Sequence, residues 1–572
     1  MPQNKLLTDY TPGELPLSEY PRPQLRRESF LSLNGRWDYA ITEGERPRYY
    51  DGTILVPFSP EAPLSGVERT LLPHQTLWYR RTFTLPDAFM QDRLLLHFGA
   101  VDQCCTVYLN GQAVGSHEGG YLPFCFDVTD ALEEENELIV QVRDYADTSY
   151  YSTGKQRHKR GGIWYTPQSG IWGTVWCESV PTDYIQHLRI TPLYDIGAVR
   201  VDVKTALGSP VYVEVLDGQT VVAKGAAIGS IVLDLPDFKA WSPDSPFLYN
   251  MHLSAEVDRV ESYFGMRKSY VAKDNAGVPR LFLNDRPIFH NGLLDQGYWP
   301  DGLYTPPTEQ AIVDELTAVK DLGFNMLRKH IKVEPLRWYY HCDRLGLMVW
   351  QDMPCGCTKP VDTVKYALIP TLGLRHKKDD RYAFFGRTEA KGREFAENEM
   401  LDLVDLLYNS PSVVLWVPFN EGWGQFDAAR ICRAIRKADD TRPLDHASGW
   451  FDQGLGDLNS RHIYFTKIAI KQDERVSAVT EFGGYALAVD GHTWGERGFG
   501  YRGYKNEEEL TAAYAKLYNE QVIPQMQAGL SAAVYTQLTD VEDELNGLYT
   551  YDRKKLKISE KTIKTINNRL KY

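Results

Sequence analysis

The sequence predicts two β-sandwiches followed by a closed parallel (β/α)8 barrel, and three observations carry that expectation. Short apolar runs broken by turn residues fill the first half of the chain. After about residue 273 the rhythm changes to strand then helix. Two apolar runs in the second half each end on a glutamate, Glu421 and Glu481.

Residues 1–183 read as a jelly-roll sandwich, with runs such as Leu94–Phe98, Thr106–Leu109 and Glu137–Val142. Asn110-Gly111, lying between alternating runs, is a hairpin signal because both positions of a type I′ turn need positive φ. Residues 184–272 continue at regular spacing through Val199–Val203, Val211–Val215 and Ser230–Asp234, which suits an immunoglobulin-like sandwich.

Residues 273–572 read as the barrel. The segment Glu309–Leu322 puts Ile312, Leu316, Val319 and Leu322 on one helical face, and Pro335–Leu345, Ala396–Leu407, Asp427–Ala438 and Glu507–Gln527 follow suit. Eight strands are expected at Pro287–Asn291, Phe324–Lys329, Gly346–Gln351, Ser412–Phe419, Pro443–Ala447, His462–Phe465, Ala478–Thr480 and Ala532–Gln537. Eight β/α units in this length make a TIM barrel. The run Pro354–Arg393 is too long for a plain connection and is expected to form a lid or rim over the mouth.

Composition narrows function. The 572 residues carry a net charge of -13, which argues against nucleic acid or an anionic membrane as main partner. The local run Arg375-His376-Lys377-Lys378 reads as solvated loop. Aromatics are 12%, with 13 Trp and 35 Tyr, whose flat faces and polar edges suit sugar rings. The N-terminus lacks an apolar h-region and no stretch approaches membrane-spanning length, so a cytoplasmic protein is expected. The eight cysteines show no disulfide framework, and Cys355-x-Cys357 lacks a second ligand pair, so neither metal nor cofactor is expected. Glutamates at the C-terminal ends of two barrel strands share one mouth, which is what glycoside hydrolysis by paired carboxyls needs.

The ordered motifs extend this. Leu33-Asn34-Gly35-Arg36-Trp37, Val107–Gly111, Gly119–Phe124, Ser169–Gly173, Leu283–Ile288, Asn325–Arg328 and Asn420-Glu421 together resemble glycoside hydrolase family 2 along nearly the whole chain. The resemblance makes the first sandwich sugar-binding-like and implies a retaining exo-glycosidase, with Glu421 the acid/base and Glu481 the nucleophile. It implies that Asn420 holds the sugar 2-hydroxyl, that Arg328 anchors the nucleophile, and that Tyr464 lies beside it. Asp295, Trp299, Asp352, Trp450 and Gln537 are expected to line the subsite. Relatives often assemble through their β domains, which leans toward a homo-oligomer.

Departures bear on the sugar. Gly292–Gly297 lacks the His-Glu pair of the large β-galactosidases, and Arg328-Lys329-His330-Ile331-Lys332 lacks both the Ser-His of galactosidases and glucuronidases and the Trp-Gly-Gly of mannosidases. Glu544 and Asn546 stand where glucuronidases place an Asn-x-Lys pair, and a glutamate there repels a sugar carboxylate unless Lys329 or Lys332 compensates. A neutral sugar is expected, β-galactoside first on frequency within the family. β-Mannoside, galactofuranoside, arabinoside and, less favoured, β-glucuronide stay open, as does a carbohydrate-binding protein without turnover. A metal-dependent hydrolase would want clustered histidines, and the 13 present are scattered. Retaining and inverting chemistry differ in carboxyl separation, which sequence does not give.

Overall fold

The computed structural model describes residues 6–356, 378–470, 473–495 and 498–572. Cys357 and most of the expected rim Pro354–Arg393, with Arg375–Lys377, lie outside the described residues, and Cys104, Cys105, Cys125, Cys177, Cys342 and Cys432 are free thiols.

The N-terminal sandwich packs a four-stranded sheet on a six-stranded one. Asn110 and Gly111 do turn the hairpin Cys104–Leu109/Gln112–Glu118, with φ of 51° and 81°. The first motif is structural: Asn34 accepts from Val175 N and donates to Pro16 O, both at 2.9 Å, while Trp37 Nε1 donates to Leu33 O. In the second sandwich, sheets of three and four strands face each other across Val199, Val201, Val203, Val211, Val213 and Val215, all buried. Their period of two along Ala198–Thr205 and Val211–Asp217 is the reason those runs are strands.

A small sheet spanning Ser269–Pro287 closes the barrel floor, placing Leu281 and Leu283 under Met326 and Met348. Above it runs one parallel sheet in the order Val413–Val417, Met348–Asp352, Met326–Lys329, His290–Asp295, Leu530–Thr536, Val476–Gly483, Leu458–Ile463. Seven of the eight expected strands thus enter the ladder, several shifted by a few residues. The expected strand at Pro443–Ala447 does not. It touches its neighbour only through the bridges Trp416–Leu444 and Asn420–Ser448. Buried Asp445 takes the Ser460 hydroxyl at 2.8 Å, so side chains replace part of the ladder there.

Helices follow the strands at Glu309–Asp321, Leu336–Leu345, Ala390–Leu407, Ala428–Ala438, Glu507–Ala528 (through a π turn) and Glu560–Asn567. Thr308 caps the first by accepting from Ala311 N. No helix follows the fifth or sixth segment among the described residues. The fifth connection carries Gly449, Gly454 and Gly456 at positive φ, which starves a helix of propensity. Among the described residues no helix is long and apolar enough to cross a membrane.

Candidate active site

Local backbone aims the two glutamates. Glu421 sits at φ 53°, followed by Gly422 at φ 78°, and its N–H donates to Ser448 O at 2.9 Å. A left-handed non-glycine residue costs on the order of 1–3 kcal/mol and persists only where neighbours over-determine it. Here the turn swings the carboxyl from the strand end into the mouth. Glu481 lies within the strand Val476–Gly483, ahead of Gly483, where a Cβ would meet the Tyr535 ring at 2.3 Å.

The carboxyls meet across His462. Its Nδ1 is 2.7 Å from Glu421 Oε1 and 3.3 Å from Glu481 Oε2. The nitrogen and one oxygen from each glutamate all lie within 4.8 Å of one another. Arg328 can only donate and lies 3.4 Å from His462 Nε2, so Nε2 accepts and Nδ1 carries the proton. Burial holds the imidazole neutral, with its pKa pushed down to about 4. The Nδ1–H therefore points at the carboxyl oxygens. Among the described residues this trio is also the one set of donors placed to hold a metal ion. Arg328 already supplies the counter-charge at 3.1 Å from Glu481, which disfavours a second cation.

Each carboxyl has its own surroundings. Burial pushes the Glu421 pKa up to about 7, against the pull of Lys155 and Arg328. Burial also raises Glu481, but it collects more help for its charged form: Arg328 Nη1 at 3.1 Å and the Tyr464 hydroxyl at 2.6 Å. Arg328 is itself fixed, donating to both oxygens of Asp352 at 3.0 Å, to Asn420 Oδ1 at 2.8 Å and to Thr480 O at 3.1 Å. Tyr464 is held by stacking on Tyr501, centroids 3.6 Å apart at 6°.

Six of the ten expected residues therefore assemble: Glu421, Glu481, Asn420, Arg328, Tyr464 and Asp352. Arg328 and His330 occupy the Asp352 oxygens, so this carboxylate orients Arg328. Asn420 Nδ2 and Gln537 Nε2 are buried without hydrogen-bond partners. Trp450 joins the aromatic wall of Trp423, Phe451 and Trp164. Asp295 and Trp299 make their contacts with protein groups. Asp295 gives one oxygen to Lys329 at 2.6 Å and the other to Gly297 N at 2.9 Å. Trp299 packs under Arg553, 4.0 Å from the guanidinium carbon to the ring centre.

Lys329 and Lys332 are spent as well. Lys329 binds Asp295 and Glu334, and Lys332 binds Glu334, Gly297 O and Tyr304 O. Neither is free to receive a sugar carboxylate. Glu544 accepts from the Tyr165 hydroxyl and from Asn546 Nδ2. Sequence reasoning missed His462, Tyr501, Lys155 and Tyr165. An alternating Leu458-x-Ser460-x-His462 face was a signal for His462; the others come from distant loops.

Comparison with known proteins agrees with this geometry. Residues 67–172 match the model for "Glycosyl hydrolases family 2, sugar binding domain", 184–267 that for "Glycosyl hydrolases family 2", and 280–481 that for "Glycosyl hydrolases family 2, TIM barrel domain". A β-galactosidase of Thermoanaerobacter pseudethanolicus is 23% identical over 393 residues, covering 64% of this chain and 48% of that protein. The chain spans less than half the length of the curated relatives it matches. A solved β-glucuronidase of Ruminococcus gnavus superposes with a TM-score of 0.76 at 17% identity over 99% of both chains. A family 2 β-galacturonidase of Eisenbergiella tayi does so at 0.72 and 17% identity, over 97% of this chain and 99% of that one. The domain order, the three matched models and the paired glutamates at the barrel mouth converge: the chain belongs to glycoside hydrolase family 2.

Proposed function

We propose that this chain is a retaining exo-glycosidase acting on a terminal neutral sugar, β-galactoside first, by double displacement. The observation that carries the reading is the close approach of the two glutamates, with His462 Nδ1 and one oxygen of each within 4.8 Å. That supports retention, which uses carboxyls about 5–5.5 Å apart, over inversion, which needs about 6.5–9.5 Å to admit a water.

The roles follow from the surroundings. Glu481, held ionised by Arg328 and Tyr464, attacks the anomeric carbon and forms the glycosyl-enzyme. Glu421 begins protonated. Its Oε1 faces the His462 N–H, so its proton sits on Oε2 and passes to the departing oxygen. Once Glu481 is esterified its charge is gone and Glu421 ionises more easily, ready to take a proton from water. Asn420 Nδ2 donates to the sugar 2-hydroxyl, a contact that strengthens in the oxocarbenium-like transition state.

The engaged Lys329 and Lys332 and the glutamate at position 544 support a neutral sugar. The test is release of nitrophenol from β-galactoside, glucoside, mannoside, glucuronide, galacturonide, galactofuranoside and α-L-arabinoside, with Glu481→Gly as control. One strong hit lost in the variant names the sugar. A dominant glucuronide or galacturonide hit would overturn the neutral assignment.

A further inference from the structure

The N-terminal sandwich sends the loop around residues 150–168 across the barrel mouth. Thr153 N and Gly154 N both donate to Cys355 O at 2.9 Å, and a Cβ on Gly154 would strike the Tyr121 and Tyr304 hydroxyls. This close docking delivers Lys155. Its residue is 6% exposed, and among the described residues its ammonium makes no hydrogen bond or ion pair. What surrounds it is aromatic: the Trp423 ring at 5.7 Å and the Tyr165 ring at 5.6 Å. Ring faces stabilise a cation without filling its three N–H donors. Docking of Thr153 and Gly154 on Cys355, and the Trp423 ring two residues past Glu421, set the ammonium beside the mouth, where its charge lowers the Glu421 pKa against burial.

The proton donor fixes which side this is. A leaving group must sit against Glu421, and Trp423 is two residues on, its N–H bonded to Asn420 O at 2.9 Å. Trp423 Nε1 is buried without a partner. The Trp164 ring lies 5.0 Å from Trp423, and the Arg157 guanidinium carbon lies 3.3 Å from the Trp164 ring centre. An aromatic wall with an unfilled ammonium and an unfilled indole N–H is built for a flat or ring-shaped group bearing a negative charge.

We infer that the sandwich loop forms a leaving-group subsite for an anionic aglycone, such as an acidic sugar or aryl carboxylate, and that Lys155 is its specificity-determining cation. The inference rests on Glu421 as proton donor, and it concerns the departing group, leaving the terminal sugar neutral.

The experiment separates the subsite from turnover. Calorimetric titration of the full chain with coumarin-3-carboxylate and with the matched neutral coumarin-3-carboxamide reads the charge alone. The carboxylate should bind about ten- to hundred-fold tighter, as a charge-assisted hydrogen bond provides. Lys155→Met should erase that ratio and Lys155→Arg should retain most of it. The same ratio should appear in kcat/KM for 3-carboxyumbelliferyl against umbelliferyl glycosides. Equal or absent binding of the carboxylate, or a preference that survives Lys155→Met, overturns the inference. A preference lost in Lys155→Met without hydrolysis of any glycoside would uphold the subsite and refute the catalytic reading.

Discussion

Tyr464→Phe isolates one hydrogen bond at the nucleophile. The hydroxyl donates to Glu481 Oε2 at 2.6 Å and lies 3.1 Å from Thr536 Oγ1. Burial and the neighbouring Glu481 charge hold this phenol well above its ordinary pKa, so it stays a donor across the working range. The ring should keep its place in the variant, because its stack on Tyr501 does not need the oxygen. A hydrogen bond to a charged partner contributes about 1.5–3 kcal/mol. At about 1.4 kcal/mol per pKa unit, removing it lifts Glu481 by about 1–2 units. The sign is fixed: the bond favours the ionised carboxylate, so its loss raises the pKa and the nucleophile is neutralised at higher pH. The acidic limb of kcat/KM, which reports the free enzyme, should move up by about 1–2 units and the bell should narrow toward the Glu421 limb. The assay is the pH profile on the best nitrophenyl glycoside, with melting temperature as a folding control. A folded variant whose acidic limb moves by less than about 0.3 unit would refute the assignment of Tyr464 as the group holding Glu481 ionised.

Further outcomes follow from the same geometry. Glu481→Gly should lose turnover and regain it with azide, releasing a glycosyl azide of inverted anomeric configuration detectable by NMR; retained configuration would move the nucleophile elsewhere. Glu421→Ala should show a burst on activated leaving groups and stall at deglycosylation, and it should lose the alkaline limb, which in the wild type falls as pH rises through about 7 because the acid must be protonated. Arg27→Met should cost about 3–5 kcal/mol, seen as a lower urea midpoint, since it removes the arginine paired with buried Asp258 and one of the two on buried Glu178. Burial alone would raise Glu178, but Arg22, His97 and Arg27 hold it below the usual carboxylate range. The stability it contributes is therefore present above its unfolded pKa and lost in acid, and the variant should show less of that acid-side loss.

Periodicity made the architecture legible because burial of one face writes itself into a strand or helix every two or 3.6 residues. It failed where side chains took over from the backbone. The Ser460 hydroxyl donates to Asp445 and accepts from Gly449 N, so Pro443–Ala447 looked like a strand yet forms only bridges. In the site, Glu421, Glu481, Asn420 and Arg328 were readable because they end apolar runs or sit in motifs. Asp295 was placed by the same logic, yet Lys329, four positions past Asn325, takes its carboxylate. A strand-end position shows that a group faces the mouth, and only the neighbours decide whether it is free. Lys155 was invisible for the opposite reason. It is 266 residues from Glu421, in a polar stretch that reads as solvated loop until the sandwich is docked.

That docking has a consequence for how such a chain diversifies. Both glutamates proposed to break the bond belong to the barrel, whereas Lys155, the cation inferred to face the leaving group, arrives on the sandwich loop. Substrate preference can then drift by exchange of one sandwich loop while the chemistry stays untouched. A barrel expressed alone from residue 273 would carry both glutamates and an open, undiscriminating flank.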